Sequence, residues 1–165
     1  MTTLFYAAGA VALAATLMVL TRRAAVHALL YLVVSLLAVA VALFALGAPF
    51  VAALEVIIYA GAIIVLFLFV LMLLAGGPEG VIAERRWLTT RALVGPSVLA
   101  AALAGLLLVT THSADWRGAG GGVGPREVGA ALFGPYVLAV ELASMLLLAA
   151  LVGAFHLGRR PRSRP

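Results

Sequence analysis

Two acids in this sequence stand where acids are costly. Glu55 and Glu141 each fall inside a long apolar run, and a charge at the centre of a bilayer costs at least about 2.5–3.5 kcal/mol. An acid so placed exchanges protons, or it stays protonated, hydrogen-bonds a neighbouring helix and only locks packing. Tyr59 follows Glu55 by four residues. In an α-helix that puts the phenol about 40° round the same face and one turn deeper. There it extends a hydrogen-bonded line inward, or packs as an aromatic with a satisfied hydroxyl. Gly61 sits near the middle of the same run, where glycine weakens a helix or admits a close helix contact. Glu55, Tyr59 and Glu141 are therefore the candidates for a proton path.

Other chemistry is poorly represented. The sequence has no cysteine, which removes disulfides, thiolate metal sites and cysteine-ligated iron–sulfur clusters. His27 and His156 both fall near the ends of apolar runs on one side, at a depth that would suit axial haem ligands, although interfacial histidines are the commoner case. His112 opens a polar stretch. The cluster Gly118, Gly120, Gly121 and Gly122 lacks the strand–turn–helix setting of a phosphate loop and reads as linker.

These residues need elements to position them, and the composition says which kind. Of 165 residues, 65% are hydrophobic and 10% charged, against about 45–50% and about 25% in soluble domains. A water-soluble globular domain and a disordered tail are both excluded. Five apolar runs, at about residues 4–20, 25–46, 50–74, 92–110 and 136–157, are long enough to cross a hydrocarbon core of about 30 Å, or nearly so. They lack the period-2 alternation of strands. The fold expected is all-α, a polytopic membrane protein of five transmembrane helices in one membrane domain over residues 1–165, with a basic tail at 158–165. Met1–Thr3 carries no basic side chain ahead of the first run, so no cleaved signal is expected. The third run exceeds what a span requires; it tilts or holds a π-bulge, and length alone favours the tilt.

All 11 basic residues are arginine. Arg22, Arg23, Arg85, Arg86, Arg91, Arg159, Arg160, Arg162 and Arg164 fall on one side of the five-span layout; Arg117 and Arg126 fall on the other. The positive-inside rule then places the N-terminus outside and the C-terminus in the cytoplasm. The same rule explains the basic tail without nucleic acid, which is not an expected partner. Ala8, Ala12 and Thr16 make a small-residue stripe on the first helix, suited to close packing within the chain or against a partner.

Two stretches carry a family resemblance. Glu55–Leu74, EVIIYAGAIIVLFLFVLMLL, resembles the third helix of the subunit J family of respiratory NADH:quinone oxidoreductase, complex I. Residues 132–160 (LFGPYVLAVELASMLLLAALVGAFHLGRR) resemble the last helix of that family, with Ala139–Val140 where the family commonly has Pro–Phe. The resemblance implies a bacterial inner-membrane subunit lying between the quinone-site subunits and the antiporter-like subunits. It implies coupling of quinone reduction to proton translocation with no cofactor on this chain, the FMN, iron–sulfur clusters and quinone being in or near other subunits. It also implies a hinge or π-bulge at Tyr59, Gly61 and Val65. Two other classes compete with this reading: a subunit of a multisubunit cation/proton antiporter, and a purely structural membrane spacer.

Overall fold

The computed structural model describes residues 2–22, 24–74, 90–112 and 122–159. Arg23, Arg85, Arg86, Arg117, Arg160, Arg162, Arg164 and three of the four clustered glycines lie outside them. Among the described residues every regular element is helical: α1 (Thr2–Thr21), α2 (Ala25–Ala45), α3 (Pro49–Leu74), α4 (Thr90–His112), α5 (Pro125–Leu132) and α6 (Val137–Gly158). Helices α1, α2, α3 and α6 are long and apolar enough to cross a membrane; within α4 the apolar stretch is the shorter Leu93–Val109. The chain forms two compact units, Met1–Val123 and Gly124–Pro165.

In the first unit α1 and α2 form an antiparallel pair built on small side chains. Ala8, Ala15 and Ala38 are fully buried, and Leu4, Val41 and Leu103 of α4 close one core around Ala8 and Ala38. Small residues let two backbones approach, which is how helices associate where the surroundings are as apolar as leucine. The stripe foreseen on α1 is used inside the chain. Ala8 is buried, and Ala12 packs against the same cluster. Thr16 shares a hydrogen bond of 2.8 Å with Ser35. Ser35 is the buried polar residue of the described core, and its hydroxyl also donates to the Ala12 carbonyl at 3.2 Å.

The turn from α2 to α3 is tightly specified. Gly47 adopts a positive φ of 82°, the left-handed conformation that favours glycine after a helix. The Gly47 N–H donates to Phe44 at 3.0 Å and the Ala48 N–H to Leu43 at 3.1 Å, the bonding pattern of a Schellman motif. Pro49 then opens α3 where a missing N–H costs little. The Val123 N–H donates to the Gly47 carbonyl at 2.8 Å, docking the chain end of this unit onto the turn.

The second unit contains a helix that lies outside the five apolar runs. Pro125–Leu132 is helical, with Pro125 in the first turn. The Gly124 N–H donates to the Glu127 carboxylate at 2.7 Å. An acid three residues after the cap satisfies an orphan donor and complements the helix dipole. A one-turn cap of this kind needs no long apolar run, so hydropathy does not reveal it.

Candidate functional site

The third helix is not α-helical throughout. From Pro49 to Leu54 it is α, from Glu55 to Ile63 it is wound as a π-helix, and from Ile64 to Leu74 it is α again. The i→i+5 pattern shows at its end, where the Ile64 N–H donates to the Tyr59 carbonyl. π-helical turns are rare and commonly mark functional sites. Glu55 is the first residue of this stretch, six residues beyond Pro49 and about 9 Å along the axis. Its side chain is half-buried. Tyr59 and Gly61 lie within the stretch; Val65 lies two residues past it, in the α-helical continuation.

Gly61 has a local reason to be glycine. A Cβ built there would stand 3.2 Å from the Val56 carbonyl oxygen, five residues back. That is the carbonyl an i→i+5 ladder points at this position, so a side chain crowds the π winding. The inward positions of α3 are Ala52 and Ile64, both buried. Tyr59 is 49% exposed, and among the described residues no hydrogen bond joins it to Glu55. The π winding accounts for the change from the expected face. It advances less per residue than the 100° of an α-helix, so the residue four on falls short of the position assumed from α geometry.

An open groove of about 460 Å³ lies between α2, α3 and α4. Its walls are apolar, with Val34, Leu37 and Phe44 from α2, Ala52 and Val56 from α3, and Leu103 from α4. A space so lined favours hydrocarbon over water. Glu55 is the nearest acid in sequence to this groove, adjoining Val56.

Glu141 belongs to the other unit and is described by itself. It stands four residues beyond Val137, about 6 Å along α6, and its side chain is exposed. The Ser144 hydroxyl donates to its backbone carbonyl at 2.7 Å. His27 sits in the first turn of α2 and His156 in the last turn of α6, one in each unit. Among the described residues no group of three or more His, Cys, Asp and Glu is placed to hold a metal. An iron–sulfur cluster does not fit this chain, which has no cysteine to ligate it.

A second polar cluster escaped sequence reasoning. The Arg22 guanidinium lies 5.2 Å from the centroid of the Tyr31 ring and donates to the Tyr31 hydroxyl at 3.3 Å. Tyr31 is 3% exposed, and its hydroxyl occupies the space where a Cβ on Gly95 would be. The signal available was a tyrosine in an apolar run opposite an arginine at its mouth. Nothing local in the sequence pairs either of them with Gly95.

The fold and this site define a multi-pass helical membrane protein whose α3, the helix carrying Glu55, is π-wound through its centre. The protein-family model described as NADH-ubiquinone/plastoquinone oxidoreductase chain 6 matches residues 15–157. The chain is 56% identical over 159 residues to NADH-quinone oxidoreductase subunit J of Pseudomonas aeruginosa, covering 94% of this chain and 95% of that one. It is 49% identical over 160 residues to subunit J of Escherichia coli K12, covering 96% and 87%. It is 37% identical over 155 residues to NADH-quinone oxidoreductase subunit 10 of Thermus thermophilus, covering 89% and 85%. The chain belongs to this family, the subunit J proteins of NADH-quinone oxidoreductase.

Proposed function

We propose that this chain is a membrane-arm subunit of a proton-pumping NADH:quinone oxidoreductase, and that it couples quinone reduction to proton translocation through α3. The observation that carries the proposal is the π-helical stretch beginning at Glu55 and containing Gly61. A π turn and an α turn of the same residues differ by a rotation of everything beyond them. The stretch is thus an element with two available windings, and a bistable element is what coupling requires. Glu55 at its first residue is the proton-exchanging group, Tyr59 and Gly61 form the turn, and Val65 lies on the part that rotates. The groove beside Val56 gives α3 room to change. Glu141 is a second candidate on the proton path.

The rest of the reading follows from the family and the Arg distribution. The chain has five spans in a bacterial inner membrane and forms one membrane domain, with its N-terminus outside and its C-terminus in the cytoplasm. Its partners are the quinone-site and antiporter-like subunits and the lipid bilayer. It holds no redox centre; FMN, iron–sulfur clusters and quinone belong in or near other subunits.

The test is Glu55→Gln in the assembled complex. Protons pumped per NADH oxidised should fall while the amount of assembled complex stays near wild type. An unchanged pumping ratio would remove Glu55 from the path.

A further inference from the structure

We infer that residues 125–136 are an interfacial anchor, a short amphipathic helix and aromatic turn that lie in the headgroup layer of the bilayer and fix the depth at which α6 enters it. The inference does not rest on the proton path proposed above, and its test reads lipid contact rather than transport.

Helix α5 is two-faced. Arg126 and Glu127 stand on one side; Val128 and Leu132, four residues apart, share the other. At its end the Phe133 N–H donates to the Gly129 carbonyl at 3.0 Å and the Tyr136 N–H to Ala131 at 3.1 Å. The turn so fixed leaves Phe133 76% and Tyr136 61% exposed. The next residue, Val137, begins α6, whose 22 residues include one charged side chain, Glu141. The end of α5 therefore sits where the apolar span begins, at the boundary between water and hydrocarbon.

That position selects the partner. A phenylalanine held in water forgoes the gain of burying its ring. The headgroup layer accepts an apolar ring, an amphipathic tyrosine and a short helix with one charged face together. The occupant is thus the bilayer surface. An anchor there holds Glu141 about 6 Å further along the helix axis, just below the headgroups.

This chain has no cysteine, so an introduced thiol is its one maleimide-reactive site, read on this chain's own gel band and against the unsubstituted complex labelled in parallel. The complex carrying Arg126→Cys or Leu132→Cys is reconstituted in phosphatidylethanolamine/phosphatidylglycerol vesicles containing a headgroup-nitroxide lipid. A charged maleimide, supplied on both faces, should label Arg126→Cys about tenfold faster than Leu132→Cys. A bimane attached at Leu132→Cys should be quenched by the nitroxide lipid. Equal labelling rates would overturn the proposal by placing α5 in water. A protected but unquenched Leu132→Cys would overturn it by placing another subunit on that face. Retained NADH:quinone activity establishes folding, and Phe133→Cys supplies the same comparison if Leu132→Cys does not assemble.

Discussion

The α1–α2 pair and α3 are built from similar apolar residues and packed in opposite ways. The pair is regular, closed over Ala8 and Ala38, and cross-linked by Thr16 and Ser35. The third helix buries Ala52 and Ile64 among its described residues, carries an acid, and is wound as π between them. The pair behaves as scaffold because tight backbone approach leaves it one arrangement. In α3, wider winding and an adjoining open groove leave room for another. The difference teaches that, in helices with few polar side chains, the candidate site lies where regular packing stops.

The most damaging way to test this contrast is Gly95→Leu. Its side chain would collide with Tyr31, which is buried on the scaffold side. Overpacking of this kind costs about 1–3 kcal/mol or more. Thermal inactivation of the complex should shift down by several degrees, and an unchanged midpoint would show that α4 yields freely at this contact. The matching change on the other side is Gly61→Leu. It crowds the Val56 carbonyl and should disfavour the π winding. Turnover of the assembled complex should fall severalfold while its thermal midpoint moves little; normal turnover would dissociate the winding from function. The mildest test is Ser35→Ala. It removes the bonds to Thr16 and Ala12 but leaves Thr16 bonded to the Ala12 carbonyl. The expected loss is about 0.6 kcal/mol, the average for hydrogen bonds between membrane helices, with unaltered turnover. Lost turnover without lost stability would move this hydroxyl pair from scaffold to mechanism.

Much of the candidate site was legible before any tertiary structure. Glu55 and Glu141 announce themselves because a carboxyl in an apolar run is improbable without a task. Gly61 is visible for a similar reason, as a flexible residue inside a helix. The Tyr59 relation was not legible in its true form, because the angle between Glu55 and Tyr59 was read from α-helical winding and the helix is π there. The Tyr31–Arg22–Gly95 cluster was not legible because its members come from α2, the α1–α2 connection and α4. Helix α5 is not legible from apolar length, because what starts it is a local, polar capping bond between Gly124 and Glu127.

The sequence by itself determined the medium and the elements. Hydropathy is a sum over neighbours along the chain, so the apolar runs predict the observed ends of α1, α2, α3, α4 and α6 to within two residues. Composition alone excluded a soluble fold. Tertiary structure decided which helices pair, which small residues are buried, and where α3 abandons the α winding. The physical reason is that α and π turns of one apolar segment use the same backbone groups. What separates them is how Ala52 and Ile64 settle among neighbouring side chains, and a hydropathy sum carries no information about that contact.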